Sequence, residues 1–210
     1  MYASTSLCPG ATYHIFQRGN NRESIFLEKR NYAYFMRLYA KYIHPIADTY
    51  AYCLLKNHVH FLVRIKTETL RVSKTLRVLK SSPSQQFGNL FNAYAKAFNK
   101  RYNRTGSLFQ KPFGRVEVTS DSHFIHLVTY IHRNPQRHGL SDDFRDWPYS
   151  SYAAMVSDEA TFVRRDHVLD WYGGREAFIA HHQHESERKA ISALFRNDER
   201  PERFDKPFRS

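Results

Sequence analysis

The sequence predicts an α+β fold, in which helices cover an antiparallel sheet. Two observations support this prediction. Four short segments have the apolar patterning of strands, and three longer ones repeat apolar residues every three or four positions, as amphipathic helices do. Their order along the chain is strand, helix, strand, strand, helix, strand, helix. With 210 residues, of which 41% are hydrophobic, the chain can bury a core of this kind.

The first half of the chain contains three strands and one helix. Residues 13–18 alternate apolar with polar side chains and end in a glycine-asparagine turn, which predicts the first strand. Residues 29–44 show helical periodicity up to a proline. Residues 50–55 and 58–65 are apolar runs with two residues between them, so we expect a β-hairpin.

The second half adds two helices and one strand. Residues 69–99 have helical composition, with an expected break at residues 81–83 (Ser-Ser-Pro). Part of 107–118 is predicted as the fourth strand, and a helix follows from about Ser122. This order favours a ferredoxin-like antiparallel sheet with helices packed on one face.

The chain divides into a main domain and a C-terminal extension. We assign residues 1–155 to the domain and 156–210 to the extension. Within the extension, residues 166–184 are expected to form one or two short helices. Residues 185–210 mix charges of both signs with few apolar side chains, so we expect them to be loosely ordered.

Basic residues are concentrated in one part of the chain. The net charge is +12, and between Arg64 and Arg115 twelve lysines and arginines stand against a single acidic residue, Glu68. Such a one-sided distribution is typical of proteins that bind a polyphosphate. A solvated helix face is the alternative interpretation.

Cysteine content and hydropathy indicate the compartment. The two cysteines, Cys8 and Cys53, are far apart, and no zinc-binding spacing occurs. No apolar run approaches the roughly 20 residues of a membrane-spanning helix, and the N-terminus does not have the pattern of a signal peptide. We therefore expect a soluble cytoplasmic protein without a membrane partner.

Two short patterns could carry chemistry. His58 and His60 flank one residue of a predicted strand, so both imidazoles should project from the same face. Tyr130 and Asn134 are four residues apart on a predicted helix and should share one side of it. Pro135 should kink or end that helix at Asn134. With twelve histidines in the chain, neither pattern is specific by itself.

Three blocks of sequence together are specific. They are LLKNHVHFLV at 54–63, YIHRNPQRHGL at 130–140 and WPYSSY at 147–152, with the turn RGNNR at 18–22 as a further match. In these blocks the chain resembles the REP-associated tyrosine transposases, a branch of the single-tyrosine HUH family of insertion-sequence type. The resemblance extends from about residue 13 to 152, and it also implies a ferredoxin-like core.

The resemblance implies roles for four residues. His58 and His60 match the family's metal-binding pair, Tyr130 matches its nucleophile, and Asn134 matches the polar residue that completes the metal site. The implied cofactor is Mg²⁺ or Mn²⁺, although ligand type alone does not exclude zinc. The chain departs from the family before Asn57, where Leu-Lys stands in place of the frequent Met-Pro. This change lies outside the ligand set.

The resemblance also implies the activity: nicking and rejoining of single-stranded DNA at hairpin sites through a 5′-phosphotyrosine intermediate. The implied partner is single-stranded DNA with hairpins, and the protein would act as a monomer or a homodimer. Charge and position suggest eight cations as DNA contacts. They are Arg18, Arg22, Lys96, Lys100, Arg101, Arg104, Arg115 and Arg133.

Two other functions remain open from the sequence. One is a non-catalytic, domesticated protein that binds DNA or RNA hairpins, against which the intact set of His58, His60, Tyr130 and Asn134 argues. The other is a metal-dependent nuclease or histidine-based phosphodiesterase that uses water. The chain has neither a second His-x-His nor an acidic cluster for that chemistry. A covalent protein–DNA product would distinguish the three.

Overall fold

A computed structural model describes residues 6–67 and 82–183 of the chain. The expected helix between 69 and 81 lies outside the described residues, as does the segment 185–210 that we expected to be loosely ordered. No helix in the described ranges is long and apolar enough to cross a membrane.

The centre of the protein is a four-stranded antiparallel sheet. Its strands are β1 (Thr12–Arg18), β2 (Ala47–Leu54), β3 (His58–Ile65) and β4 (Gly114–Val118). Their spatial order is β2-β3-β1-β4, and the hairpin predicted between the second and third strands is present. Phe16 of β1 lies opposite His60 of β3.

The described residues contain three long helices and three short ones. They are α1 (Lys29–Tyr42), α2 (Pro83–Arg101), α3 (Asp121–Arg137), α4 (Tyr152–Val156), α5 (Arg165–Tyr172) and α6 (Arg175–Gln183). Serine caps the N-termini of two of them: Ser82 accepts a hydrogen bond from the Gln85 amide, and Ser120 from the His123 amide. Pro83 is the first residue of α2, where a missing backbone donor is tolerated.

The helices cover both faces of the sheet. On one face, Val59, Phe61 and Val63 share a core with α1 and α2. On the other face, Leu62 packs in a second core with α3. The ferredoxin-like α+β class is thus confirmed: α1 and α2 pack on one face of the sheet, and α3 covers the opposite face. Nearly every residue of β3 is buried, so both faces of this strand require a covering layer.

The C-terminal helices pack against α3. Val168 of α5 and Phe178 of α6 belong to the same buried cluster as Leu127 and Ile131 of α3. Two short helices therefore form where the sequence predicted one or two. They help to bury one side of α3.

Gly114 is a position where any side chain would disturb the sheet. A Cβ there would lie 2.1 Å from the ring of Phe16, its partner on β1. We expect Gly114→Ala to lower the free energy of unfolding by about 1–3 kcal/mol through overpacking, measured by urea denaturation. Gly88→Ala is the control: its Cβ would meet nothing within 4 Å on α2, and alanine favours helix. Equal effects of the two changes would contradict this account.

Candidate active site

The two histidines of β3 lie side by side on the face covered by α3. Their ring centroids are 5.0 Å apart with the rings nearly perpendicular, and each residue is only 4% exposed. The shared face follows from strand alternation, as expected from the sequence. Two imidazole nitrogens are thereby available to a common neighbour.

Hydrogen bonds around Asn57 determine which nitrogen of His58 carries the proton. The Asn57 side chain donates through Nδ2 to the backbone oxygen of Arg22 at 3.2 Å, which orients the amide. Its Oδ1 therefore accepts from His58 Nδ1 at 2.7 Å. In the neutral ring this leaves a lone pair on His58 Nε2. That buried atom has no hydrogen-bond partner among the described residues.

His14 of β1 has the corresponding relation to His60. Its Nε2 lies 2.9 Å from His60 Nδ1, and the two rings are stacked with centroids 5.1 Å apart. A proton on His60 Nδ1 satisfies this hydrogen bond and leaves a lone pair on His60 Nε2. The Nε2 atom is buried, and nothing in the described ranges hydrogen bonds to it.

Burial keeps both rings neutral. Desolvation lowers the pKa of His58 and His60 well below the usual value, and the nearby charges of Arg18 and His138 act in the same direction. A neutral imidazole is the form that binds a metal ion.

Helix α3 brings Tyr130 and Asn134 to the same place. The Tyr130 ring stands edge-on to His60, with centroids 5.6 Å apart, and is 1% exposed. Asn134 Nδ2 donates to the Tyr130 carbonyl at 3.0 Å, while its buried Oδ1 has no partner in the described part of the chain. The helix continues past Pro135 to Arg137 instead of ending at Asn134.

The site thus contains three buried acceptor atoms to which no residue of 6–67 or 82–183 hydrogen bonds: Nε2 of His58, Nε2 of His60 and Oδ1 of Asn134. An unsatisfied buried polar atom costs about 1–3 kcal/mol, so three together require an explanation. A divalent cation fits this donor set. Within residues 6–67 and 82–183, no three His, Cys, Asp or Glu side chains are grouped to hold a metal ion. A metal on the two histidines would need a ligand of another type, such as this amide.

Three further residues adjoin the site that sequence reasoning did not identify. His14 contacts His60, the Arg137 guanidinium lies 4.8 Å from the Tyr130 ring centroid, and the His138 ring lies 4.8 Å from that of His58. Arg137 could have been found, because it follows Tyr130 by seven residues on the same helix side. His14 could not, since only the pairing of β1 with β3 brings it there.

The structure separates the predicted DNA-binding cations into groups. Arg18 lies opposite His58 in the sheet, and Arg22 is exposed in the adjoining turn, so both border the site. Three exposed cations lie instead on α2, which packs on the other face of the sheet. They are Lys96, Lys100 and Arg101.

The three remaining cations make internal contacts. Arg104 forms an ion pair with Glu23 at 2.5 Å, and Arg115 donates to Ser84 Oγ at 2.7 Å. Arg133 is buried, with Nη1 donating to the His182 carbonyl at 2.9 Å. Because Arg133 is only 8% exposed, little of it is available at the surface, and its role as a DNA contact stays a prediction.

The fold and the site together define a class of protein. In it, a ferredoxin-like sheet carries paired histidines, and a helix on the same face presents a tyrosine and an amide to them. The chain belongs to the IS200-like transposase family, whose model matches residues 8–134. The match ends at Asn134 and so includes all four candidate residues. Because the proteins of this family are transposases, the chain belongs to a class of DNA-modifying enzymes. The family match also confirms the resemblance seen in the sequence.

Two relatives illustrate the match. A Haemophilus influenzae protein provisionally named a REP-associated tyrosine transposase is 27% identical over 132 residues, covering 63% of this chain and 70% of its own. A solved structure of a REP-associated tyrosine transposase bound to a REP hairpin superposes with a TM-score of 0.56 at 19% identity. The superposition covers 75% of this chain and 86% of the chain in the solved structure, and it supports the assignment of the fold.

Stability should depend on pH through five buried imidazoles, those of His14, His58, His60, His132 and His182. Burial lowers the pKa of each, to about 3 for His14 and His182. Below the ordinary pKa of 6.5, the unfolded chain therefore takes up protons that the folded protein cannot. Each group removes up to about 1.4 kcal/mol of stability per pH unit in that range.

We therefore expect the free energy of unfolding, measured with urea and a chelator, to fall by at least about 2 kcal/mol between pH 7.5 and 5.5. Between pH 7.5 and 8.5 these imidazoles are neutral in both states, so this interval is the control. Equal stability at pH 5.5 and 7.5 would show that the imidazoles are not desolvated as described.

Proposed function

We propose that the protein is a metal-dependent transposase and endonuclease that nicks and rejoins single-stranded DNA at hairpin sites through Tyr130. The observation that supports this most directly is the position of Tyr130, which shares a buried site with His58, His60 and Asn134. The Nε2 and Oδ1 atoms of these three residues have no hydrogen-bond partner in the described part of the chain. The relative whose structure contains a REP hairpin supports the substrate class.

In the proposed reaction, the Tyr130 hydroxyl loses its proton and attacks a backbone phosphorus. A bond forms between the tyrosine oxygen and phosphorus, and the bond from phosphorus to the 3′ oxygen breaks. The leaving 3′ oxygen takes up a proton in place of the one that the tyrosine released, so the products are a 5′-phosphotyrosine and a free 3′-hydroxyl. Because the phosphodiester energy is retained in the covalent link, a 3′-hydroxyl can reverse the step and join a strand without an external energy source.

His58, His60 and Asn134 would hold the cofactor through their two Nε2 atoms and one Oδ1. When bound, a divalent cation would polarise the scissile phosphate and stabilise the leaving oxygen. Mg²⁺ and Mn²⁺ are the proposed ions. Two imidazoles make a softer set than the all-oxygen shell that Mg²⁺ prefers, which favours Mn²⁺ in binding experiments.

Neighbouring residues prepare the site. Asn57 and His14 hold the protons on the Nδ1 atoms and so orient the two ligating rings, a role that hydrogen-bond partners commonly have around metal ligands. The Arg137 guanidinium beside Tyr130 would favour the charged phenolate and could contact the phosphate. Because Tyr130 is almost fully buried, DNA reaches it only when covering side chains such as Arg137 move aside.

Covalent adduct formation tests the nucleophile. Wild-type protein incubated with Mn²⁺ and a 3′-labelled single-stranded hairpin oligonucleotide should give a labelled protein band on a denaturing gel. Tyr130→Phe should abolish that band, because the ring remains but the attacking oxygen is lost. Tyr34→Phe, at a half-buried position on α1, should leave it unchanged. Cutting without an adduct would favour a water-using nuclease, and binding without cutting would favour a hairpin-binding protein.

Calorimetric titration with Mn²⁺ tests the metal site without relying on activity. We expect His58→Ala, His60→Ala and Asn134→Ala each to weaken Mn²⁺ binding by at least about tenfold, because each removes one ligand atom. His167→Ala, which changes an exposed histidine of α5, should leave the affinity unchanged. Unaltered affinity in the three site variants would place the cation elsewhere.

A further inference from the structure

Helix α3 contacts the C-terminal extension through a different side from the one that carries Tyr130 and Asn134. Its residues there are Ile125, Thr129, His132 and Arg133, which recur at helical spacing. Thr129 directly precedes Tyr130, so the two side chains are about 100° apart around the helix axis. One side of α3 thus carries the chemistry, and another side attaches it to helices beyond the segment that the family model matches.

Polar contacts between α3 and the extension occur along this side. The Tyr172 hydroxyl of α5 donates to the Ile125 carbonyl at 2.7 Å and lies 3.0 Å from Thr129 Oγ1. One turn further, Arg133 donates to the carbonyl of His182 on α6. These bonds have directional requirements that apolar packing lacks.

His132 lies at the centre of a buried chain of hydrogen bonds. His182 Nδ1 donates to the Phe178 carbonyl at 2.8 Å, so in the neutral ring Nε2 accepts from His132 Nδ1 at 3.0 Å. His132 Nε2 then accepts from Ser151 Oγ at 2.8 Å, and Ser151 Oγ accepts from the Tyr52 amide at 2.9 Å. The chain of bonds runs from α6 through α3 to β2. Both histidines and Ser151 are fully buried.

We propose that His182 is a positioning residue for the reaction, because its bond to His132 sets the rotation of α3 and thereby holds Tyr130 and Asn134 against His58 and His60. His182 is fully buried, and its described hydrogen bonds join it to α3 and to Phe178 of its own helix, not to any of the four candidate residues. The inference rests on the proposed role of Tyr130 as nucleophile. A displacement of about 1 Å at a reacting group can lower a rate by about a hundredfold, so a small rotation of α3 matters.

The arrangement of the bonds gives a specific requirement for residue 182. The side chain must accept a hydrogen bond from His132 and donate one to the Phe178 carbonyl at the same time. Glutamine has both an acceptor and a donor, whereas leucine has neither and preserves only the apolar bulk. The pair His182→Leu and His182→Gln therefore separates hydrogen bonding from packing.

The test compares the single-turnover rate of adduct formation with DNA affinity, using full-length variants shown to be folded by circular dichroism. We expect His182→Leu to lower the rate at saturating DNA at least about tenfold, with Kd for DNA without metal within about twofold of wild type. His182→Gln should restore most of the rate. His167→Leu, in the same extension, should behave as wild type. Mn²⁺ affinity should fall in His182→Leu, since Asn134 moves with α3.

Several outcomes would overturn the proposal. A folded His182→Leu protein with wild-type rate and Mn²⁺ affinity would do so, as would equal losses of rate and DNA affinity in the leucine and glutamine variants. If His182→Leu does not fold, His182→Phe keeps an aromatic ring at this position but has neither the acceptor for His132 nor the donor to the Phe178 carbonyl, and a wild-type rate there would be equally decisive. If wild-type protein forms no adduct, the proposed function fails, whereas Mn²⁺ affinity of the His182 variants still tests the positioning role.

Discussion

The site depends on the burial of acceptor atoms that none of the described residues satisfies. His58, His60 and Asn134 are almost fully shielded from solvent, and each carries a buried nitrogen or oxygen of this kind. Such an arrangement is destabilising unless a cation binds there, so the surrounding structure must hold it in place. Asn57 and His14 fix the ring tautomers, and the Tyr130 carbonyl orients the Asn134 amide. The electrostatic character of the site follows from these contacts.

One face of the sheet forms the main apolar core, and the other face carries the candidate active site. On one face, β1 and β3 direct aromatic and branched side chains into a core with α1 and α2, which supplies much of the buried apolar area. On the other face, the same strands carry His14 and His60 next to α3. Strand alternation allows this division, because neighbouring residues on one strand point to opposite faces. Stability and chemistry therefore depend on different residues of the same strands.

Helix α3 connects the site to the rest of the molecule. It contributes the tyrosine and the amide on the side that faces the sheet, and it binds α5 and α6 through a polar side. The extension lies outside the family match, yet it shares a core with the helix that carries Tyr130. A segment outside the family match is thus placed to affect the position of Tyr130 without contributing a residue that reacts.

Local patterns in the sequence determined the elements and the candidate residues. The apolar run at residues 58–65 and the helical spacing from Tyr130 to Asn134 are properties of single segments, so the strand, the helix and the side-chain pairs could be predicted from them. Long-range packing decided the rest. Whether α3 covers the face that carries His58, how His14 reaches His60, and where Arg133 is buried all depend on contacts between segments distant in sequence. Local periodicity contains no information about such contacts, because it records only which side of an element is apolar.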